Sequence, residues 1–301
     1  MKKPLIIVSG SNGQLGSELK KIASKFQEFI FVFANKNELD LFDFNSIKNF
    51  FQKYQPGFFI NCAAYTAVDK AEQEKEKAYR INAEAVGEIA KLCEENQSAL
   101  IHFSTDYVFN GQSKKPYEPD DETSPINYYG YTKLQGEKFA LENCSKTIII
   151  RTSWVYSEFG HNFVKTMLRL MKEKKEINVV NDQFGSPTYA ADLAEAVMEI
   201  LKSEILKSEI GNRKSEIGNR KPKIFHYSNS GVISWYDFAI AIKNEINSSC
   251  IINPISTLQY PTPAKRPHFS FMNTRKVSDS FNIPIKNWQD SLRKCLRQLK
   301  A

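Results

Sequence analysis

The chain has 301 residues, of which 42% are hydrophobic and 25% charged, and its net charge at pH 7 is +7. This composition is ordinary for a globular protein and excludes wholesale disorder. No apolar run approaches the length of a membrane span, and the run at residues 5–8 is too short for a signal peptide. We therefore expect a cytoplasmic protein without a membrane partner.

The positive charge is mild and is not concentrated in a long basic block. This pattern argues against nucleic-acid binding and suits an anionic small substrate such as a nucleotide. The five cysteines are widely spaced, and none belongs to a C-x-x-C pair. We therefore expect neither a zinc site nor a disulfide framework, and we expect the cysteines to be mostly buried as small hydrophobic residues.

Strand-like and helix-like segments alternate through the first 150 residues. Apolar or β-branched runs predict strands over 5–8, 29–33, 58–60, 100–103 and 147–150. Helical patterns lie over 17–23, 46–54, 70–96 and 129–141. Strands that alternate with helices imply βαβ units, so the predicted fold is α/β, with a Rossmann-type doubly wound parallel sheet.

The alternation loosens after residue 151. The pattern predicts helices over 162–172, 190–201 and 288–299, and a further helix that begins at 234. It predicts strands over 177–180 and 225–228. The sequence KSEIGNR occurs twice in succession, at 207–213 and 214–220, within a low-complexity insert at 202–221. Each copy offers a single isoleucine, so we interpret the repeat as a duplication tolerated in a surface connection, with a partner-docking loop as the alternative.

The first motif with a chemical role is a glycine-rich turn between a predicted strand and a predicted helix. Its glycines are Gly10, Gly13 and Gly16, in the spacing G-x-x-G-x-x-G. Glycines in this context permit a tight turn, close approach of the backbone to a pyrophosphate, and close packing of helix on strand. The motif predicts a dinucleotide site, and its spacing is typical of short-chain dehydrogenases/reductases.

The end of the second predicted strand bears on the choice of dinucleotide. An acidic residue there commonly binds the ribose of NAD, but this sequence has Asn35 and Lys36, and no acid before Glu38. Lys36 could face a 2′-phosphate, which favours NADPH over NADH. The alternative interpretation of Lys36 is a solvated loop lysine.

A tyrosine and a lysine four residues apart form the third motif. Tyr129 and Lys133 return to nearly the same face of the helix predicted over 129–141. A lysine so placed can stabilise a phenolate and reach a ribose, which suits proton transfer to or from a substrate. Thr105 follows the fourth predicted strand, at the sheet edge where ligands bind in such folds, and could hydrogen-bond a carbonyl under reduction.

A set of stretches in fixed order resembles the dTDP-4-dehydrorhamnose reductases, a family within the extended short-chain dehydrogenases/reductases. The resemblance covers nearly the whole chain outside the insert. The matching stretches are GSNGQLG (10–16), NCAAYTAVDKAE (61–72), STDYVFNG (104–111), YGYTK (129–133), RTSWVY (151–156), NDQFGSPT (181–188), SWYDF (234–238) and PTPAKRP (261–267).

The resemblance implies specific site residues. The implied catalytic residues are Thr105, Tyr129 and Lys133. The implied cofactor-binding residues are Gly10, Asn12, Gly13, Gln14, Leu15, Gly16, Asn35, Asp40, Leu41, Ala64, Tyr65, Thr66, Phe103, Tyr129 and Lys133. The implied substrate-binding residues are Thr105, Asp106, Trp154 and Arg266. Structural alternatives exist for three of these: Asp106 as a turn cap, Trp154 as a buried aromatic, and Arg266 as an exposed charge.

The resemblance also implies a division of the chain. Residues 1–152 would form the NAD(P)-binding Rossmann domain, to which 188–228 would return with the insert. Residues 153–187 and 229–301 would form a smaller C-terminal domain that binds the sugar nucleotide. Some family members form magnesium-dependent dimers through carboxylates; no complete carboxylate set is recognised here, so no metal ligand is predicted, and Mg²⁺ and a homodimer stay open.

The activity implied is NAD(P)H-dependent reduction of the C4 keto group of dTDP-4-dehydro-6-deoxy-L-mannose to dTDP-L-rhamnose, in cell-surface polysaccharide biosynthesis. One alternative is a 4-ketoreductase or epimerase acting on another nucleotide sugar. A second is a non-catalytic subunit that resembles the regulatory subunit of methionine adenosyltransferase. The joint presence of Thr105, Tyr129, Lys133 and Trp154 favours an enzyme.

Overall fold

The computed structural model describes residues 3–211 and 223–300. The strands, in chain order, are β1 (Leu5–Ser9), β2 (Ile30–Ala34), β3 (Phe58–Asn61), β4 (Ala99–Thr105), β5 (Thr147–Thr152), β6 (Val155–Tyr156), β7 (Glu176–Val180), β8 (Phe184–Gly185), β9 (Thr188–Tyr189), β10 (Lys223–Tyr227), β11 (Ile233–Ser234) and β12 (Ile251–Ile255).

The helices, in chain order, are α1 (Gln14–Ile22), α2 (Phe44–Tyr54), α3 (Val68–Ala71), α4 (Lys75–Tyr79), α5 (Ala85–Glu95), α6 (Tyr128–Asn143), α7 (Phe163–Glu173), α8 (Ala190–Gly211), α9 (Trp235–Glu245), α10 (Arg275–Phe281) and α11 (Trp288–Lys300). Short 3₁₀ turns lie at Ala23–Lys25, Asp106–Val108 and Thr257–Gln259.

Six parallel strands form the main sheet, in the order β10-β5-β4-β3-β1-β2. The chain winds outward in both directions from β1, so neighbouring loops diverge at the carboxyl ends of β1 and β3 and leave a crevice there. The predicted doubly wound Rossmann-type α/β fold is confirmed. The strands are rich in isoleucine and phenylalanine because helices cover both faces of the sheet.

Two hydrophobic clusters lie on opposite faces of this sheet. One joins the strands to α1 and α8, through residues such as Leu19 and Val197. The other joins them to α2 and α5, through residues such as Phe51 and Ile89. These helices fix the sheet rigidly, and therefore fix the loops at its carboxyl edge.

A separate hydrophobic cluster gathers α7, α9 and α11 around short strand pairs. β7 pairs in parallel with β12, β6 pairs in parallel with β9, and β8 pairs antiparallel with β11. Tyr156, Phe238 and Leu292 are among its buried side chains. This second core holds the chain that faces the carboxyl edge of the main sheet.

Two predicted helices differ from the structure. The helix expected over 70–96 is divided: α3 ends at Ala71, and the helix that resumes at Lys75 contains a π-helical turn over Arg80–Glu84. That turn is held because the Asn82 side chain bonds both backbone groups of Tyr65.

The helix expected over 190–201 continues to Gly211. Most of the KSEIGNR repeat lies outside the described residues. Within the described ranges, no helix is long and apolar enough to cross a membrane. All five cysteines are free. Four of them are buried, which confirms the expectation that most would be, and Cys62 is half-buried.

Candidate active site

The glycine turn forms the floor of the crevice. Gly10 has a φ of +65°, and a Cβ there would lie 2.7 Å from the backbone nitrogen of Ala63. A Cβ on Gly16 would lie 2.4 Å from the carbonyl oxygen of Gly10. Both positions therefore require glycine, one for its backbone conformation and one for close packing of α1 on the turn.

The amino end of α1 is open at this turn. Its N-cap is Gly13, which has no capping side chain, and Asn12 beside it is exposed. Gln14 lies half-buried and bonds Val155 and Asn162, whereas Leu15 is buried in the core. Backbone N–H groups at the start of an uncapped helix suit an anionic phosphate, so this geometry fits a pyrophosphate.

The turn after β2 brings an acid back to the strand end. The backbone N–H of Asn35 donates to Glu38 Oε2 at 2.8 Å, and the Asn35 side chain accepts from the N–H of Asn37. Lys36 and Glu38 are both exposed on this turn. This carboxylate lies four residues beyond the end of β2, and its return to the strand end through a side-chain contact is not visible in the sequence.

The remaining predicted dinucleotide contacts differ in exposure. Thr66 is exposed and Ala64 is half-buried in the segment that follows β3. Tyr65 is buried between them, and Leu41 is buried in the core. Asp40 accepts from the N–H of Phe42 and so caps a local turn.

Two polar residues, the last of β4 and the first of the 3₁₀ turn after it, lie at the carboxyl edge of the sheet. Thr105 and Asp106 are both nearly buried, and Thr105 Oγ1 donates to Asp106 Oδ1 at 2.9 Å. Burial raises the pKa of Asp106 to about 6, with hydrogen bonding to Ser270 and Thr105 opposing the shift. Ser104 Oγ beside them is buried without a hydrogen-bond partner among the described residues.

Helix α6 carries the tyrosine and lysine to this edge. The side chain of Asn127 caps the helix by accepting from the N–H of Gly130 at 2.8 Å. Burial, and then the charge of Asp106, raise the pKa of the Tyr129 phenol above its ordinary value. The phenol therefore keeps its proton at neutral pH, but a raised pKa makes it a weaker acid, so it can serve as a general acid only where its phenolate is stabilised.

Lys133 is buried, and two neighbouring groups contact its ammonium. Nζ donates to the carbonyl oxygen of Phe103 at 2.6 Å and lies 3.3 Å from His102 Nε2. Burial lowers the pKa of Lys133 to about 8, and the charge of Glu137 opposes that shift. The ammonium is therefore the major form at neutral pH.

The position of α6 is fixed by a buried ion pair and by close backbone contacts. Arg151 on β5 bonds both carboxylate oxygens of Glu137, at 2.9 and 2.7 Å. A Cβ on Gly130 would lie 2.2 Å from the carbonyl oxygen of Tyr107, and one on Gly136 would lie 2.0 Å from that of Asn82. These contacts leave no room for the helix to shift, so Tyr129 and Lys133 are held in place.

Trp154 lies where the chain leaves the main sheet. It is half-buried, and its φ of +48° is unusual for a residue with a side chain. Its indole stacks on Trp235 with ring centroids 3.6 Å apart, and Phe163 packs on Trp235 in turn. A strained backbone that is held by packing is frequent at binding sites.

Arg266 does not point freely into the crevice. Its Nη2 lies 2.6 Å from Asp69 Oδ2, and its Nη1 donates to Asp69 and to the carbonyl oxygen of Ala264. The exposed-charge alternative for this residue is wrong, because its guanidinium is paired and only 18% exposed.

The residue-by-residue analysis missed four side chains at this site. His102 and Asn61 support Lys133 from neighbouring strands, Asp69 pairs with Arg266, and Trp235 stacks on Trp154. Asn61, Asp69 and Trp235 lie within the matching stretches 61–72 and 234–238, which was the available sequence signal for them, whereas His102 becomes recognisable only through the register that pairs it with Asn61. In the described ranges, no group of three or more His, Cys, Asp or Glu side chains could hold a metal.

Comparison with known proteins identifies the family. The model of the RmlD substrate binding domain matches residues 3–301. The dTDP-4-dehydrorhamnose reductase of Escherichia coli K12 is 38% identical, over 98% of this chain and 97% of that protein. The crystal structure of a dTDP-4-dehydrorhamnose reductase from Bacillus anthracis in complex with NADP is 34% identical, covers 98% of this chain and 99% of that chain, and has a TM-score of 0.90.

A more distant structure shares the fold. The Thermus thermophilus UDP-glucose 4-epimerase in complex with NAD is 14% identical, covers 99% of each chain and has a TM-score of 0.79. The full-length matches to reductases are much closer in sequence than this epimerase. The chain therefore belongs to the RmlD substrate-binding-domain family, among the dTDP-4-dehydrorhamnose reductases of the extended short-chain dehydrogenases/reductases.

Proposed function

We propose that the protein is an NADPH-dependent dTDP-4-dehydrorhamnose reductase, which reduces the C4 ketone of dTDP-4-dehydro-6-deoxy-L-mannose to give dTDP-L-rhamnose. The observation that carries the proposal is the convergence of Tyr129 and Lys133 on α6 with Thr105 and Asp106 at the end of β4. This convergence supplies an acid, a cation and a hydroxyl at one edge of the sheet. The family match supports the choice of substrate.

Three side chains of this site have separate roles in the reduction of a carbonyl group. The reduced nicotinamide supplies the hydride when it is bound. Tyr129 donates its phenolic proton to the substrate O4, and the Lys133 ammonium stabilises the phenolate that remains. Thr105 hydrogen-bonds the same oxygen, which favours the alkoxide as it develops.

The tight glycine turn and the open amino end of α1 fit the pyrophosphate of a dinucleotide, because Gly13 leaves the first N–H groups of the helix without a capping side chain. Lys36 on the turn after β2 would attract the 2′-phosphate of NADPH. Glu38 on the same turn would instead accept from a ribose hydroxyl. We assign the preference to NADPH because Lys36 is exposed and Glu38 is engaged with the backbone of Asn35.

The sugar nucleotide would lie between the sheet edge and the second core. Trp154 would contact the sugar ring, and Arg266 would meet the diphosphate at the edge of its ion pair with Asp69. This arrangement favours the division into a dinucleotide-binding domain of 1–152 with 188–228, and a substrate domain of 153–187 with 229–301.

The test is turnover by the purified protein alone. NADPH oxidation is followed with the dTDP-4-keto sugar, with its UDP counterpart as the matched control, and the product configuration at C4 is read by NMR. The proposal predicts dTDP-L-rhamnose and a strong preference for the dTDP substrate. A C4-epimeric product, or better use of the UDP sugar, would favour another nucleotide-sugar reductase. Turnover that needs an added partner protein would favour the regulatory-subunit alternative.

A further inference from the structure

A row of buried polar side chains crosses the main sheet and ends at Lys133. Ser9, Asn61 and His102 are register partners on the adjacent strands β1, β3 and β4. Side chains at paired positions of neighbouring parallel strands point to the same face of a sheet. All three are at most 1% exposed, so each must find its hydrogen-bond partners inside the protein.

The row is connected from end to end. Ser9 Oγ donates to Asn61 Oδ1 at 2.7 Å, and the Asn61 amide lies 3.2 Å from His102 Nδ1. His102 Nε2 lies 3.3 Å from Lys133 Nζ, and Nζ also donates to the carbonyl oxygen of Phe103 at 2.6 Å. None of the catalytic roles proposed above uses Ser9, Asn61 or the imidazole.

The contact between His102 and Lys133 constrains the protons on both. An ammonium has three donors and no acceptor, so a charged Lys133 requires an unprotonated Nε2 and places the imidazole proton on Nδ1. An uncharged amine can accept a hydrogen bond, so a neutral Lys133 suits the tautomer that is protonated at Nε2. In the structure the Asn61 Nδ2 faces Nδ1, and Asn61 Oδ1 accepts from Ser9 Oγ and from the backbone N–H of Ala63 at 3.3 Å. This orientation suits the tautomer protonated at Nε2. The tautomer protonated at Nδ1 requires the amide to turn over, so that its oxygen faces Nδ1 and Ser9 Oγ accepts from its nitrogen.

We propose that His102, oriented by Asn61 and Ser9, is a positioning residue that holds the Lys133 ammonium for catalysis and exchanges tautomer when that ammonium loses its proton. Nε2 accepts one ammonium hydrogen and the Phe103 carbonyl accepts a second. The third hydrogen is then directed away from both, toward the phenol of Tyr129 and the ribose. This inference rests on the catalytic role proposed for Lys133.

The charges around the pair are few. Glu137 on α6 acts on Lys133 and is itself paired with Arg151 on β5. Asp106, after β4, acts on Tyr129. Burial holds the pKa of His102 well below its ordinary value, with the charge of Lys133 as the second cause. The imidazole is therefore neutral through the working pH range, so its response to pH is a change of tautomer and not of charge.

The first experiment compares pH profiles of kcat/KM. In the His102→Phe variant the ammonium loses an acceptor, so the alkaline limb set by Lys133 should move about one unit to lower pH. His102→Gln, whose amide oxygen can accept from Nζ, should restore most of that shift. His226→Phe is the matched control, because His226 is equally buried on β10 and its ring contacts the Tyr117 carbonyl instead. An unmoved limb in a folded His102→Phe protein overturns the proposal.

The second experiment needs no turnover and uses the wild-type fold. In protein labelled with ¹⁵N-histidine, the His102 resonances should report the Nδ1–H tautomer below a midpoint of about 8 and the Nε2–H tautomer above it. The Lys133→Met variant should show one tautomer throughout. A wild-type His102 tautomer that does not change with pH overturns the inference, even in an active reductase. A clear exchange in a protein that fails to reduce the dTDP sugar would instead count against the proposed function alone.

Discussion

Arg266 and Asp69 form a bidentate ion pair that links the loop before α10 to helix α3. The guanidinium bonds both carboxylate oxygens, and Asp69 Oδ1 also accepts from the backbone N–H of Ala264 at 3.1 Å. The pairing holds the pKa of Asp69 below its usual range. The cation assigned to the substrate diphosphate is therefore oriented before substrate arrives, by an acid on the dinucleotide side of the crevice.

Replacing Asp69 tests whether this orientation matters. Asp69→Asn keeps the size of the side chain and removes its charge, so the loop and Arg266 should lose their fixed geometry. Because the pair is partly exposed, we expect a loss of about 1 kcal/mol, or roughly a fivefold rise in KM for the dTDP sugar, with kcat nearly unchanged. Lys70→Gln, on the neighbouring exposed residue, is the control. A lower KM would mean that Asp69 restrains Arg266 instead of presenting it.

Removing the phenolic proton donor tests the chemical step. Tyr129→Phe keeps the ring that packs edge-on against Tyr107, so substrate binding should survive. The expected loss in kcat is about 10²–10⁴-fold, the usual contribution of general acid catalysis. Steady-state reduction measures the loss, and calorimetric titration with dTDP-L-rhamnose checks that binding persists. Turnover close to that of the wild type would rule out Tyr129 as the acid.

The glycine turn and the pair Tyr129 and Lys133 were predictable because short-range geometry dictates them. A tight turn needs glycine, and a spacing of four residues returns to one helix face. The pairing of Arg266 with Asp69 was not predictable in this way, since the two residues are 197 positions apart. Which charge pairs with which is decided by tertiary packing, and the sequence offered several acids.

At the turn after β2, too, a side-chain contact could not be predicted from the sequence, although the residues involved are close together in the chain. The sequence showed no acid at Asn35, yet the side chain of Glu38 folds back onto that strand end. The division of the predicted helix over 70–96 was hidden for a related reason. Its apolar spacing persists across the π-helical turn, and the turn exists because Asn82 bonds Tyr65 at a distance of 17 residues.

The buried ion pair under α6 should be essential for stability. Glu137→Gln leaves the Arg151 guanidinium buried without its counter-charge, which typically costs about 3–5 kcal/mol of unfolding free energy. The matched control is Glu173→Gln in the exposed pair with Arg169, where we expect less than about 0.5 kcal/mol. Urea unfolding at neutral pH measures both. Equal effects in the two variants would show that the buried pair has no special role.

Cofactor preference should depend on the turn after β2. Wild-type protein should use NADPH at least as well as NADH, and Lys36→Asp should shift the preference toward NADH by removing the attraction for the 2′-phosphate. Glu38→Gln is the complementary variant and should shift the preference further toward NADPH. The measurement is kcat/KM with each cofactor. If the wild type favours NADH by about tenfold or more, which corresponds to about 1.4 kcal/mol, the interpretation of Lys36 is wrong.

The stacked indoles of Trp154 and Trp235 should determine sugar binding together. Trp235→Leu removes the platform that holds Trp154 in its left-handed backbone conformation, so Trp154 is expected to relax away from the crevice. We expect KM for the dTDP sugar to rise about tenfold, while KM for NADPH stays unchanged because the glycine turn is untouched. Trp288→Phe, which alters a buried tryptophan elsewhere in the second core, is the control for general loosening. Equal rises in both variants would mean that Trp235 supports the core and not the site, whereas a rise confined to Trp235→Leu would place the sugar against Trp154.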